Sequence, residues 1–303
     1  MQNFEFTSPV SLEEAISGLA QQEGHPRLLA GGTDLIVQLR QNRFPDVGRV
    51  IDIKCIPECN QLVCDASQGL ILGSAVPCHL IYADPAVVKQ YAGLVDAAAI
   101  IGGIQIQGRA TVGGNLCNSS PSGDSMPILI AYGAECHIAG PGGKRSVRVA
   151  DFCTGPGANI LEPGELLVTI QLPPVPEKSG AHYLRFIPRF EMDIAVVGAG
   201  AYIELDDSGN TIRKARIGLG AVAPTPLEAT EAAGLLEGQE VSESNVEAAA
   251  EAAQAIARPI SDMRAPAEYR KHLVKVLTRR AVLGAIGRAR GEFVANAVQE
   301  NGK

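Results

Sequence analysis

Tryptophan is absent from this chain and aromatic residues make up only 4% of it. A protein that binds single-stranded nucleic acid by stacking needs aromatic platforms along a basic groove. Here the formal net charge is −7 and no basic run offsets it, so phosphate backbones are repelled and nucleic acid is excluded as a partner. Long apolar runs are missing as well. No stretch reaches the roughly 18 apolar residues that a spanning helix requires, and residues 1–6 carry neither the basic nor the apolar region of a secretory signal. The expectation is a cytoplasmic protein without a membrane span. The seven cysteines, all between residues 55 and 153, are an odd number. They fit reduced thiols better than a disulfide framework. With 46% hydrophobic residues over 303 positions, the chain is globular and long enough for two domains.

What is present reads first as α/β units. Ser11 is placed to cap a helix over 12–19, with Glu14 as its capping-box partner. A short strand at 27–30 runs into Gly31-Gly32-Thr33-Asp34 and then a helix over 35–40, with a second strand at 50–53. A second lobe opens with a strand at 70–73 and a helix over 85–99. A glycine-rich stretch, 102–123, precedes a helix over 126–132 that Asp124 or Ser125 can cap. Strands at 135–138, 146–149 and 165–172 complete the lobe. In Leu172-Pro173-Pro174-Val175-Pro176, three prolines in four positions cannot continue a ladder and mark a boundary. Beyond it, 195–205 and 211–220 read as a hairpin turning at 206–210, and alanine-rich helices follow at 228–236, 243–257 and 267–290. No internal repeat is found. The expected fold class is α+β. An N-terminal domain over 1–175 has two α/β lobes, about 1–56 and 57–175, and a C-terminal α+β domain over 176–303 has a small antiparallel sheet and helices.

Two glycine pairs carry the chemistry: Ala30-Gly31-Gly32-Thr33-Asp34 and Thr111-Val112-Gly113-Gly114-Asn115. Paired glycines allow positive φ and remove the Cβ that keeps a ligand off the backbone. Successive N–H groups in such a turn converge on an anion, helped by a helix N-terminus behind them. The first pair fits strand–turn–helix; the second lies further from its helix. Together they suit a diphosphate, held with little help from lysine or arginine. Each alone reads equally well as a tight turn. Neither matches G-x-x-x-x-G-K-[ST], so a P-loop is excluded. Gly198-Ala199-Gly200 lacks the third glycine of a dinucleotide fingerprint. No nucleophile elbow and no H-E-x-x-H pair is present. Cys55-x₃-Cys59-x₄-Cys64 matches neither zinc nor common iron–sulfur spacing.

Five blocks make the chain recognisable. Leu29-Ala30-Gly31-Gly32-Thr33-Asp34-Leu35 resembles the first FAD-diphosphate loop of the flavoprotein subunits of the xanthine dehydrogenase and carbon monoxide dehydrogenase family. The run from Ala110 to Leu116, continuing through Ser120-Pro121-Ser122-Gly123-Asp124, resembles the second. Glu165 to Pro173 is similar to the strand ending that family's FAD-binding region. Arg189-Phe190-Glu191-Met192-Asp193-Ile194-Ala195 and the run from Gly218 to Pro226 resemble two landmarks of its C-terminal domain. The blocks stand in the family's order and cover nearly the whole chain.

The resemblance implies an FAD-binding fold of the vanillyl-alcohol-oxidase type, with FAD on this chain. Leu28, Leu29, Ala30, Gly31, Gly32, Thr33 and Asp34 would wrap the diphosphate through backbone amides. Thr111, Gly113, Gly114 and Asn115 would hold the diphosphate and ribityl chain, the Thr111 hydroxyl and Asn115 amide adding side-chain bonds. Asp124 would accept from a ribose or backbone donor, or cap a helix. Leu167 would lie near the adenine end, or in the core. Arg185 stands where the family often has lysine, and arginine is not neutral there. Ile101 and Ile194 would meet the isoalloxazine ring, or pack as plain core. No catalytic residue and no metal ligand is nominated. The molybdenum cofactor and the [2Fe–2S] clusters are expected on partner subunits, one large and one small, in a dimer of heterotrimers. Electrons would pass through this chain to an external acceptor. Two alternatives stand beside this reading: a free-standing flavin oxidoreductase of the same fold, and a flavin-free structural subunit.

Overall fold

The computed structural model describes residues 3–21, 24–189 and 191–295. Phe190, within one of the landmarks above, and residues 296–303 lie outside them. Lobe 1 holds β1 (Glu5–Thr7), α1 (Leu12–Ala20), β2 (Arg27–Leu29), α2 (Leu35–Arg40) and β3 (Arg49–Asp52). Its strands are parallel in the order β1-β3-β2, which leaves β2 on an edge. Helix α1 starts as expected: the Ser11 hydroxyl accepts from Glu14 N at 3.2 Å. The reciprocal bond is displaced by one residue, with Glu14 accepting from Val10 N. The buried face of α1, Leu12, Ala15 and Leu19, has helical spacing.

Lobe 2 begins with β4 (Leu62–Asp65) and β5 (Gly69–Gly73). Six helices follow: α3 (Cys78–Ala83), α4 (Pro85–Gln90), α5 (Ala92–Ala98), α6 (Ile104–Gln107), α7 (Val112–Asn118) and α8 (Ser125–Tyr132). It closes with β6 (Glu135–Gly140), β7 (Gly143–Arg148), the small pair β8 (Cys153–Gly155) and β9 (Ala158–Asn159), and β10 (Leu166–Leu172). The main sheet, ordered β4-β5-β10-β6-β7, is antiparallel throughout. Lobe 2 is therefore not an alternating parallel α/β unit. One expectation fails locally. The helix expected over 85–99 breaks at Tyr91 (φ −120°), whose buried ring packs on Tyr132 and whose hydroxyl donates to Pro173 O. The glycine-rich stretch 102–123 contains two helices, α6 and α7.

The C-terminal region consists of β11 (Ser179–Phe186), β12 (Val197–Leu205), β13 (Ile212–Gly220), β14 (Leu227–Glu228), α9 (Thr230–Gly234), α10 (Glu243–Ile256) and α11 (Ala267–Ala289). Its sheet is an antiparallel meander in chain order. The hairpin turn is held by Asp206, which accepts from Asn210 N and Thr211 N. Strand β11 escaped sequence reading because its small and polar residues break the apolar pattern. Helix α8 is buried on every side, wedged between lobe 2 and β12–β13. That wedge gives Gly200, once a weak fingerprint candidate, its purpose: a Cβ there would strike the Ile128 backbone. Ala181, Tyr183 and Tyr202 share one core with lobe 2, so the proline strap joins packed bodies. Among the described residues no helix is long and apolar enough to cross a membrane.

Candidate functional site

The edge position of β2 exposes the strand end where the chain enters Ala30-Gly31-Gly32-Thr33-Asp34. Gly32 adopts φ +76°, the left-handed region that glycine enters without penalty. Gly31 is needed for a different reason: any Cβ on it would overlap the Arg109 carbonyl oxygen. The backbone leading into the second glycine pair therefore rests directly on the first. Arg109 Nε donates back to Gly31 O at 3.4 Å, and Lys54 Nζ, paired with Asp52 at 2.6 Å, donates to Ala30 O at 3.2 Å.

The second pair is not a turn of the expected kind. Gly113 and Gly114 lie in the first turn of α7, and neither has positive φ. Thr111 is the N-cap, its hydroxyl oxygen accepting from Gly114 N at 2.8 Å. Gly113 is glycine because a Cβ would strike the Ser74 backbone. Close approach, not backbone freedom, selects glycine here.

Both pairs line one cleft of about 1000 Å³. Leu19, Leu28, Ile53, Ile101, Leu161 and Leu167 supply apolar lining to it. Gln38 Nε2 donates to Asn118 Oδ1 at 3.2 Å, and both residues line the cleft. Ser74 also lines the cleft; its Oγ is fully buried, beside the Cys59 thiol. Asp34 stands at the lip, where desolvation raises its carboxyl above the usual range. Glu165 is held below that range by the Arg145 guanidinium.

Of the residues nominated from sequence, Leu28, Ala30, Gly31, Gly32, Thr33, Asp34, Ile101, Thr111, Gly113, Gly114, Asn115 and Leu167 line this cleft. Leu29, Asp124, Arg185 and Ile194 do not. Leu29 turns to the other face of β2 and packs with Leu39, Val47 and Val50. Ile194 is 49% exposed and belongs to no core. Asp124 does not cap α8. Its two oxygens accept from Tyr183 Oη at 2.9 Å and Arg185 Nη1 at 2.7 Å. Burial pushes its carboxyl up to about 6 against the lowering pull of Arg185. Asn115 takes over the cap, with Oδ1 accepting from Ser125 Oγ at 2.7 Å and Ser125 N at 3.3 Å. That cap leaves its amide N–H₂ unused.

Sequence reading missed Gln38, Ser74, Asn118 and the wall over 157–165, which packing brings to the cleft, and Lys54 and Arg109, which bond to the carbonyls of the first glycine turn. None stands in a motif. The cysteine run does not converge: Cys55 is exposed, Cys64 half-buried, and burial pushes Cys59 up to about 11. Among the described residues no group of three His, Cys, Asp or Glu could hold a metal.

The residues fit an FAD. On one wall Gly31 meets the backbone at Arg109 and Ala110, space that any Cβ would fill, and aliphatic side chains in the lining suit a flat heterocycle. The volume lies at the upper end of the roughly 300–1000 Å³ usual for small-molecule sites.

Comparison with known proteins agrees. A family described as the FAD binding domain in molybdopterin dehydrogenase matches residues 2–175, and the CO dehydrogenase flavoprotein C-terminal domain matches residues 182–285. The chain is 33% identical over 294 residues to the xanthine dehydrogenase FAD-binding subunit of Escherichia coli O157:H7, covering 96% of this chain and 99% of that one. It is 33% identical over 285 residues to the carbon monoxide dehydrogenase medium chain of Hydrogenophaga pseudoflava, covering 94% and 98%. Among solved structures, a chain of reconstituted CO dehydrogenase from Oligotropha carboxidovorans superposes with a TM-score of 0.89 at 30% identity, covering 95% and 99%. A chain of quinoline 2-oxidoreductase from Pseudomonas putida gives 0.85 at 30%, covering 95% and 98%.

Proposed function

The chain belongs to the family of FAD-binding medium subunits of xanthine and carbon monoxide dehydrogenase-type molybdenum hydroxylases, and on that premise we propose how its own residues serve electron transfer. The chain takes electrons from [2Fe–2S] clusters on a small subunit, after a large subunit has oxidised the substrate at molybdenum. It passes them to an external acceptor, which is NAD⁺, dioxygen, a quinone or a cytochrome. We place it in the cytoplasm, in a dimer of heterotrimers. FAD, when bound, supplies the redox chemistry; the chain supplies placement and electrostatics.

The division of labour follows the lobes, with residues 1–175 as the FAD-binding domain and 176–303 as the C-terminal domain. Ala30, Gly31, Gly32, Thr33 and Asp34 on one side, and Thr111, Gly113, Gly114 and Asn115 on the other, hold the diphosphate and the chain next to it. Lys54 and Arg109 grip the carbonyls of the first turn from behind, which orients its N–H groups toward the anion. Leu28 and Leu167 flank the adenine, and Ile101 faces the flavin ring. Asp124 and Arg185 act one layer behind Asn115. Leu29 and Ile194 serve packing and surface. The observation that carries this reading is that Gly31 packs against the Arg109–Ala110 backbone that leads into the second glycine pair, about eighty residues on in the sequence, and that both pairs line one cleft.

Expression of the chain alone and together with its neighbouring subunits tests it. Flavin absorbance without iron in the isolated chain, and iron with molybdenum only in the complex, is the expected result. A colourless, folded chain would sink the proposal. Substrate turnover by the isolated chain would instead establish a free-standing flavin oxidoreductase.

A further inference from the structure

One wall of the cleft, residues 160–165, lies between β9 and β10 and outside any ladder. Its shape depends on two side chains. Arg145 reaches from the edge strand β7 and forms a two-pronged pair with Glu165, Nε to Oε1 at 2.7 Å and Nη2 to Oε2 at 2.6 Å. The same Nη2 donates to Ile160 O at 3.0 Å, at the start of the segment. Glu165 Oε2 also accepts from Glu162 N at 2.8 Å, and Glu165 N donates to Glu162 O at 2.9 Å, closing a tight loop through Gly164 (φ +88°). Both ends of the wall therefore converge on one guanidinium–carboxylate pair.

Exposed ion pairs usually contribute little, because ordering two long side chains offsets a screened attraction. This one differs: the fork is bidentate, Glu165 is 11% exposed, and each partner also holds backbone. Its consequence is geometric. The wall carries Leu161, which lines the cleft together with Leu28 and Leu167. On the reading above Leu28 and Leu167 flank the adenine, so this wall stands at the adenine half of a dinucleotide.

We propose that Arg145 and Glu165 are positioning residues that hold the adenylate wall of the cleft, and thereby make it select a dinucleotide flavin over a mononucleotide one. The inference rests on the FAD reading above. The pair touches no redox group; it pre-orders a loop that would otherwise be ordered at the cost of affinity.

The test titrates the flavin-free chain with FAD and, separately, with FMN, following flavin fluorescence, for wild type, Glu165→Ala, Glu165→Gln, Arg145→Ala and Arg145→Lys. Wild type binds FAD more tightly than FMN. Both alanine variants are expected to weaken FAD about tenfold while FMN affinity stays within twofold, because FMN does not reach the wall. Arg145→Lys and Glu165→Gln, which keep a donor or an acceptor, fall between and replace the alanine variants should those fail to fold. Unchanged FAD affinity, or equal weakening of FAD and FMN, overturns the positioning role. A wild-type chain that binds neither flavin overturns the FAD reading itself, and that outcome is visible before any variant is made.

Discussion

Two buried aspartates, Asp96 and Asp124, tie lobe 2 to the C-terminal region, and they answer burial in opposite ways. Desolvation is the largest influence on both. Asp96, on α5, accepts from His182 Nδ1 at 2.8 Å, Tyr183 N at 3.1 Å, and Arg288 Nη1 and Nη2 at 2.6 and 3.0 Å. Those donors win, and its carboxyl stays below the usual range. Asp124 has only the Tyr183 hydroxyl and one Arg185 nitrogen. There desolvation wins, and the carboxyl rises to about 6. Equal burial thus leads to opposite ionisation preferences, and the number of donors aimed at the carboxylate decides between them. Tyr183 serves both, its N–H on one aspartate and its O–H on the other.

The comparison breaks first at Arg288. Arg288→Ala leaves Asp96 buried without its main cation, and the expected loss is roughly 3–5 kcal/mol in denaturant unfolding. A loss under about 1 kcal/mol would mean that His182 and the Tyr183 amide suffice. A smaller effect concerns pH. The folded chain holds a proton on Asp124 between about pH 4 and 6, where the unfolded chain has released it. Its contribution to stability is therefore present below the unfolded value and is lost as pH rises through about 6, by roughly 1–3 kcal/mol. Asp96 has the opposite sign: its contribution is present above the ordinary aspartate value and is lost as pH falls through its depressed folded value. Asp124→Asn should remove the decline between pH 4 and 6; a stability profile parallel to wild type across that window contradicts the assignment. The smallest change sharpens the contrast most. Tyr183→Phe removes one donor from Asp124 and none from Asp96, so it should cost about 1 kcal/mol and move the Asp124 titration further up. Movement of the Asp96 titration by NMR would show that the two clusters are not separable.

Local signals were well expressed in the sequence. The Ser11 cap, the helix over Leu35–Arg40, the hairpin turn at Asp206 and the proline strap follow from residues within a few positions of one another. Both glycine pairs, legible in the sequence as unusual backbone, line the cleft, although for Gly31 and Gly113 the reason for glycine lies in a neighbour far along the chain. Other features could not be read locally. Arg288, near the end of a helix rich in arginine, is turned onto an aspartate 192 residues away. The Tyr91 break answers to a carbonyl 82 residues on. Asp124, placed to cap the helix after it, is drawn off by β11 while Asn115 fills the vacancy.

By itself the sequence determined the fold family, the order of its lobes and the two glycine segments that line the cleft, because periodicity, caps and glycine placement act over a few residues. Only the tertiary structure decided which side chains stand behind those segments, which aspartate keeps its charge, and how the far wall of the cleft is held. Those outcomes depend on desolvation and on donors delivered from distant strands, and neither quantity exists until the chain has closed on itself.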